Sequence, residues 1–130
     1  MEKPTKRSVA VLVRNGNRIL SVRRPDDDDE LPGVWGLPAG TLQPSETIHA
    51  LISRIGSKKL DVRLTPIRKL AEGIQERPAY VLHMELWEVA MEGIPNHPAY
   101  EWADREILKP GQDRGSLCCE LALGIRNSKG

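Results

Sequence analysis

Residues 31–62 read LPGVWGLPAGTLQPSETIHALISRIGSKKLDV, and this stretch decides the fold. Its first part is rich in Pro and Gly, which predicts a tight loop that turns at residues 38–40. The stretch then predicts an amphipathic helix from Ser45, the expected N-cap, to about Ile55, with Glu46 in its first turn. Apolar residues at i, i+3, i+4 and i+7 form its stripe, namely Ile48, Leu51, Ile52 and Ile55. A loop and helix in this order are typical of sites that hold a phosphate-bearing ligand and a metal.

The sequence on either side of this stretch is strand-like. Segments 7–14 and 18–24 flank Asn15-Gly16-Asn17, a strong hairpin signal, and predict an antiparallel pair. Two longer alternating segments flank Glu76-Arg77-Pro78 and predict another antiparallel pair. Segment 113–126 carries apolar residues four apart and predicts a closing helix. This order predicts an α/β/α sandwich with a mixed, mostly antiparallel sheet and two main helices, built as one domain over residues 1–130.

The composition is that of an ordinary globular protein, with 39% hydrophobic and 28% charged residues among 130. The formal charge is only +1, so the whole molecule does not attract nucleic acid or anionic lipid, and any anion site must be local. The apolar run at residues 9–13 is too short for a signal-peptide core or a membrane span. We therefore expect a cytoplasmic protein with neither a nucleic-acid nor a membrane partner.

The two cysteines, Cys118 and Cys119, are adjacent in the predicted closing helix. Neighbouring side chains of a helix diverge by about 100°, so a bridge between them would be strained. The sequence therefore indicates neither a disulfide framework nor a structural zinc site, and it predicts one thiol towards the core and the other beside it.

Residues 26–30 are five consecutive acids. Such a run is typical of a solvated, mobile loop, because like charges repel one another. The alternative is a loop that holds a cation or gates a ligand.

Three residues of the central stretch have a characteristic spacing: Glu46 follows Gly40 after five intervening residues, and Arg54 follows Glu46 after seven. With this spacing the segment 16–62 resembles the Nudix family, whose signature is G-x5-E-x7-R-E-U-x-E-E-x-G-U, where U is aliphatic. Residues of the strand and loop that precede this signature in the family are matched by Arg23-Arg24, Pro32-Gly33-x-Trp35 and Pro38. The resemblance implies the Nudix fold and a nucleotide or nucleoside-phosphate type of ligand.

The metal-binding half of the signature is replaced in this chain. The three glutamates that follow the arginine are exchanged for Ile55, Lys58 and Lys59. Mg²⁺ or Mn²⁺ requires charged oxygen ligands, yet Arg54 and these three positions now carry a summed charge of +3 where the family pattern has −2. We therefore predict no metal at this position and no cofactor, with Mg²⁺ or Mn²⁺ entering only if acids elsewhere bind it.

Fixed positive charge is predicted to take the place of the cation. Lys58 and Lys59 can hold a phosphate as point charges, but they cannot generate a metal-bound hydroxide. Arg23 or Arg24 is predicted to bind a phosphate or a base edge, and Trp35 to stack on a base. The alternative is a pair of solvated arginines, snorkelled lysines and a core tryptophan.

Glu46 is the candidate catalytic residue, and Arg54 is a candidate ligand-binding residue on the helix. They are eight residues apart, about 12 Å along a helix axis, so we expect no direct pair between them. A structural position for Arg54 on the helix surface is the alternative to its ligand role.

These observations support three hypotheses of function. The first is a Nudix-family protein that recognises a nucleotide-like ligand and has lost all or most metal-dependent diphosphate hydrolysis. The second is an active nucleotide hydrolase that recruits other acids, namely Glu46, Glu72, Glu76, Glu101 or residues 26–30. The third is a regulatory or protein-interaction module, and a homodimer is a common arrangement for similar folds.

Overall fold

The computed structural model describes residues 3–125, and its central element is the long strand β1 (Thr5–Asn15). A hairpin turn at Gly16, whose φ of 64° is in the left-handed region, joins β1 to β2 (Arg18–Arg23). Glycine adopts this conformation without the steric cost that a Cβ would bring. The hairpin predicted from Asn15-Gly16-Asn17 is confirmed.

The remaining strands extend this hairpin into a seven-stranded sheet. The long strands β5 (Arg63–Glu76) and β6 (Val81–Glu92) form an antiparallel pair, and β6 joins β1 in parallel. Three short strands complete the sheet: β3 (Trp35–Gly36), β4 (Ala39–Thr41) and β7 (Tyr100–Ala103). Strand β4 pairs with β1, whereas β3 and β7 pair with β2, all antiparallel. The predicted mixed, mostly antiparallel sheet is thus confirmed.

Helices cover both faces of the sheet. Val9, Val11 and Val13 of β1 belong to the core cluster under α1 (Ile48–Arg54). The alternate residues Ala10 and Leu12 belong to the cluster under α3 (Leu117–Gly124). Because both faces are covered, β1 is apolar along most of its length rather than alternating. The predicted α/β/α sandwich with two main helices is confirmed.

The first helix begins later than predicted. Its N-cap is Thr47, whose hydroxyl oxygen accepts a hydrogen bond from the Ala50 amide at 3.0 Å. Ser45, the predicted N-cap, has a φ of 67° and lies in a turn closed by the Glu46 amide, which donates to the Gln43 carbonyl at 3.0 Å. Pro44 stands at the second position of this turn and Ser45 at the third, as a type II turn requires. The turn therefore removes both Ser45 and Glu46 from the helix.

The same helix continues beyond Ile55 as a π-helical segment, Ile55–Leu60. It ends at Asp61, whose φ of 56° is left-handed and whose position corresponds to the glycine of the family signature. The sequence predicted an end at about Ile55, and the structure instead has a further, looser turn. A Cβ at Gly56 would lie 2.8 Å from Leu64 Cγ and 2.9 Å from the Val62 carbonyl oxygen, so this segment packs directly against the start of β5.

The closing helix also begins later than predicted. Residues 105–108 form a 3₁₀ turn, followed by the short helix α2 (Lys109–Asp113), which the sequence did not predict. Gly115, with a φ of 95°, separates α2 from α3, and Ser116 then caps α3. The predicted end at residue 126 lies outside the described residues. In the range 3–125 no helix has both the length and the apolar character needed to cross a bilayer.

Candidate functional site

Two adjoining cavities lie where the loop after β2 meets the π-helical segment. The sheet cavity has a volume of about 240 Å³ and extends between β1, β6 and the start of α3. The loop cavity has a volume of about 260 Å³ and is bordered by the acidic loop. The residues that line both cavities are Val22, Arg24, Leu37, Ala39 and Lys59. Two cations, Arg24 and Lys59, therefore stand where the cavities meet.

Positive charge dominates the lining of both cavities. The charged residues of the sheet cavity are Lys6, Arg24, Glu30, Lys59 and Arg77. Those of the loop cavity are Arg23, Arg24, Asp28 and Lys59. A concave surface of one sign focuses the field on a small volume. Positive charge is thus concentrated locally, although the whole chain carries a net charge of only +1.

Lys59 is the cation with the most distinctive environment. Its ammonium group donates a hydrogen bond to the carbonyl oxygen of Ala39 on β4. The residue as a whole is exposed, but partial burial of its ammonium group lowers the pKa of Lys59, and the nearby charges of Arg54 and Arg24 lower it further. Among residues 3–125 its hydrogen-bond partner is a neutral carbonyl rather than a carboxylate, and an ammonium in such surroundings gains from an anion.

Lys58 differs from its neighbour. Both lysines are exposed on the π-helical segment, but Lys58 lines neither of the two cavities. The two lysines, predicted from the sequence as a pair, are therefore separated by the helical geometry, and only Lys59 faces the candidate site.

The arginines at the end of β2 organise the acidic loop. Arg23 pairs with Asp26 at 2.6 Å and Arg24 with Asp28 at 3.0 Å. Asp28 also accepts hydrogen bonds from the amides of Glu30 and Leu31. These bonds, that from Leu31 above all, lower the pKa of Asp28. The run is largely exposed, as expected of a solvated loop. Three of its acids, Asp26, Asp28 and Glu30, nevertheless pair with arginines, and Asp28 and Glu30 line the cavities.

The far side of the sheet cavity is closed by a second polar cluster. One carboxylate oxygen of Glu30 accepts from Arg77 at 3.1 Å, and the other accepts from the Tyr80 hydroxyl at 2.9 Å. The Lys6 ammonium lies 4.9 Å from the centre of the Tyr80 ring, a cation–π distance. This cluster ties the acidic loop to the turn between β5 and β6.

The expectation that Glu46 and Arg54 would not pair is wrong. Arg54 donates two hydrogen bonds to the Glu46 carboxylate, at 2.8 and 2.9 Å, and a third to the Thr41 carbonyl at 2.8 Å. The expected separation assumed that both residues belong to one helix, whereas Glu46 lies in the turn before the N-cap and reaches back beside α1. The Arg54 guanidinium lowers the pKa of Glu46 to about 2. Both residues act in the structure as a brace between the turn, β4 and α1, and neither lines the two cavities.

The positions that bind the metal in the family do not fit Mg²⁺ or Mn²⁺ here. Ile55 is 1% exposed and packs in the apolar cluster under α1 with Leu51 and Ile52. Lys58 and Lys59 place ammonium groups at the other two positions, and ammonium groups repel a cation. Among residues 3–125, no group of three or more His, Cys, Asp or Glu side chains is arranged to hold a metal.

Trp35, predicted to stack on a base, lies on β3 opposite Arg23. Its carbonyl oxygen accepts a hydrogen bond from the Cys119 thiol at 3.4 Å. It lines neither the sheet cavity nor the loop cavity. Of the predicted ligand-binding residues, Arg23, Arg24 and Lys59 reach these cavities, whereas Trp35, Arg54 and Lys58 do not.

Several residues of the sheet cavity were missed by the sequence reasoning: Lys6, Arg77, Tyr80 and Cys118. None of them belongs to a spaced motif. The parallel register of β1 and β6, in which Thr5 lies opposite Val81, brings Lys6 beside Tyr80. Such a non-local register could be inferred only from the complete strand order.

The fold and the site together define an α/β/α sandwich in which a loop and helix border a positively charged cavity. Residues 4–55 match the family model described as the NUDIX domain. This match covers 52 of the 130 residues. The chain is therefore similar to the Nudix family over the part that contains the signature residues.

Solved structures agree with this assignment of the fold. The E. coli ORF135 protein superposes with a TM-score of 0.78 and 20% identity over 98% of this chain and 94% of that one. For a NUDIX hydrolase from Nitrosomonas europaea the TM-score is 0.76 and the identity 15%, over 93% of this chain and 87% of that one. For the MutT protein from Methanosarcina mazei Go1 the TM-score is 0.71 and the identity 22%, over 82% of this chain and 81% of that one. No curated protein sequence matches the chain.

Proposed function

We propose that this protein binds a nucleotide or nucleoside-phosphate ligand at the junction of the sheet and loop cavities, and that it has lost most or all metal-dependent diphosphate hydrolysis. The observation that carries the proposal is Lys59, an ammonium at the junction whose hydrogen-bond partner is a neutral carbonyl, in a position where the family signature has a metal-binding glutamate. A lysine there supplies the positive charge for a phosphate directly from the protein.

Arg24 complements Lys59 at the same junction. Its guanidinium already binds Asp28 at 3.0 Å, so its orientation is set before a ligand arrives. A guanidinium can contact two phosphate oxygens at once, and its remaining donors are available for that contact. Arg23, which borders the loop cavity, extends the positive surface along the same strand end.

The proposed loss of hydrolysis follows from the residues that replace the metal-binding glutamates of the signature. Isoleucine and two lysines cannot coordinate a hard cation, and without it no metal-bound water is activated there. Glu46 is a poor substitute as a general base, because its bidentate pair with Arg54 lowers its pKa to about 2. A carboxylate of that pKa holds a proton too weakly for efficient proton transfer near neutrality.

The direct test is a thermal-shift screen of nucleoside mono-, di- and triphosphates, sugar nucleotides and dinucleotides, each in EDTA and in Mg²⁺ or Mn²⁺. A ligand at a hundred times its dissociation constant adds ~2.7 kcal/mol of stability, which corresponds to a rise of about 10 °C in the melting temperature of a domain of this size. We expect stabilisation that is equally large in EDTA. A hit that requires the metal, or Mg²⁺-dependent hydrolysis at ordinary Nudix rates, would overturn the proposal.

An active hydrolase that uses other acids makes a different prediction. The acids that line the cavities are Glu30 and Asp28, and each already accepts hydrogen bonds from an arginine. Such an enzyme needs a Mn²⁺ site of better than about millimolar affinity. Equilibrium titration with Mn²⁺ separates the two functions, since our proposal requires no binding in that range.

The homodimer and the cytoplasmic location stay predictions. In the described sheet β5 pairs with β6 alone, and this edge strand exposes 53% of Ile67 and 69% of Ile74. An exposed edge with apolar side chains is suited to association. Sedimentation equilibrium of the full chain, together with an Ile74→Lys variant, tests whether this edge is used.

A further inference from the structure

A second cation lies at the end of the sheet cavity that is far from Lys59. This cation is Lys6, an exposed residue of the cavity lining whose ammonium lies 4.9 Å from the centre of the Tyr80 ring. The cavity carboxylate, Glu30, instead accepts hydrogen bonds from Arg77 and from the Tyr80 hydroxyl. In the part of the chain that the structure describes, Lys6 forms no ion pair with a carboxylate. The proposed binding of one phosphate at the junction leaves this second cation without a role.

The strand register gives the distance between the two cations. Ala10 of β1 lies opposite Ala39 of β4, whose carbonyl oxygen accepts the hydrogen bond from Lys59. Lys6 is four residues earlier on β1, which corresponds to about 13 Å along the strand. Tyr80 precedes β6, which runs parallel to β1, so the Lys6 ammonium over its ring is directed away from Ala39. A single phosphate or a pyrophosphate held at Lys59 is too short to reach Lys6 as well.

The lining between the two cations suits a sugar. Ser8 follows Lys6 by two residues on β1 and lies opposite Thr41 of β4, with the two hydroxyl oxygens 3.5 Å apart. This distance is long for a hydrogen bond between hydroxyls, and Ser8 is only 7% exposed, so its hydroxyl has capacity for a further partner in the cavity. Leu82 and Met84 of β6 add an apolar surface to the same lining. A few polar groups on an apolar surface are typical of sites that orient a small ligand.

We propose that the ligand is a nucleotide with phosphates at two separate positions of its sugar, one bound by Lys59 and Arg24 and the other by Lys6. The inference rests on the proposed function, because it takes the first phosphate at the junction as given. It adds Lys6 as the residue that selects for the second phosphate. A phosphate offers Lys6 a full counter-charge, which the face of the Tyr80 ring does not.

ADP and adenosine 3′,5′-bisphosphate are a matched pair of probes for this selection. They share the base, the sugar and the elemental composition, but ADP carries both phosphates in one chain, whereas the bisphosphate carries one on each of two ribose carbons. The test is isothermal titration of each probe into the wild-type protein, in EDTA and at physiological ionic strength. We expect the bisphosphate to bind about threefold more tightly than ADP, or better, because it gains an ion pair at a partly exposed site.

Two variants locate the origin of this preference. Lys6→Gln should weaken binding of the bisphosphate about threefold or more and change ADP binding by less than about twofold, so that the preference disappears. Lys58→Gln removes the same charge outside both cavities and should keep the preference. This control is needed because the bisphosphate carries more negative charge than ADP at neutral pH. Circular dichroism melts verify that both variants are folded, and the comparison of the two probes in the wild type requires no variant.

Three outcomes would overturn the inference. These are wild-type binding of ADP as tight as that of the bisphosphate, an equal loss for both probes in Lys6→Gln, and a loss of the preference in Lys58→Gln. ADP binding in EDTA without a preference for the bisphosphate contradicts this inference alone and leaves the proposed nucleotide binding intact. Absence of binding for both probes, together with no stabilisation by any nucleotide in the thermal-shift screen, contradicts the proposed function as well.

Discussion

Lys59 stands where the family signature has a metal ligand, so removal of the Lys59 charge is the most informative perturbation. Lys59→Gln keeps a hydrogen-bond donor, on a side chain that is one bond shorter, but removes the charge. The matched control is Lys58→Gln, which removes the same charge one residue away on an exposed side chain that lines neither cavity. The two variants have identical composition, so a difference between them reports position alone.

The expected loss of affinity follows from the two hydrogen bonds of Lys59, one to the ligand phosphate and one to the Ala39 carbonyl that it replaces. A hydrogen bond between a charged donor and a phosphate contributes ~1.5–3 kcal/mol, whereas the bond to the Ala39 carbonyl that ligand binding weakens is worth ~1 kcal/mol. The net contribution is therefore ~0.5–2 kcal/mol, which weakens binding about 2- to 30-fold in Lys59→Gln. For Lys58→Gln we expect a change below about twofold, because this charge lies outside both cavities and salt screens it from the ligand.

The assay is isothermal titration of ADP and of inorganic pyrophosphate into each variant, in EDTA and at physiological ionic strength. Circular dichroism melts of both variants verify that they are folded. An equal loss of affinity in the two variants would mean that only overall charge matters. Unchanged affinity in Lys59→Gln would refute the argument that this ammonium replaces the metal.

Two further predictions concern the scaffold of the site. Glu46 has a folded-state pKa of about 2 against an ordinary 4.5, so its pair with Arg54 stabilises the fold above pH 4.5, and this contribution is lost as the pH falls towards 2. Melting curves should therefore show wild type above Glu46→Gln at pH 7 and the difference vanishing near pH 2; a constant difference would count against the pair. Gly56→Ala should lose about 1–3 kcal/mol by overpacking against Leu64, partly offset by ~1 kcal/mol of helix propensity. Gly124→Ala is its control, since a Cβ there meets nothing within 4 Å, and a drop in melting temperature as large as that of Gly56→Ala would contradict the packing argument.

The identity of the cations at the cavity illustrates how folding can separate neighbours in sequence. Lys58 and Lys59 are equivalent in the family pattern, but a helical segment points successive side chains in different directions. Only the lysine that reaches the Ala39 carbonyl lies in the cavity lining. Arg24 reaches the same place from the end of β2, and the acid Asp28 holds it there.

The sequence by itself determined the elements whose causes are local. Asn15-Gly16-Asn17 specified a hairpin because glycine tolerates a positive φ, and the stripe from Ile48 to Ile55 specified a helix because its spacing matches the helical repeat. The spacing of Gly40, Glu46 and Arg54 pointed to the Nudix signature, and residues 4–55 match the model of that domain. A Cβ at Gly40 would lie 3.0 Å from Leu51 Cδ1, which gives this signature residue a packing reason.

Only the tertiary structure decided which side chains meet. Glu46 and Arg54 pair because a turn at Pro44 places the glutamate outside the helix and beside it. A distance worked out along an ideal helix does not apply to a residue in the preceding turn. Lys6 reaches Tyr80 through the parallel pairing of β1 with β6, across more than half the chain. Contacts of this kind depend on loop closure and sheet register, which are set by the packing of the whole core rather than by any local pattern.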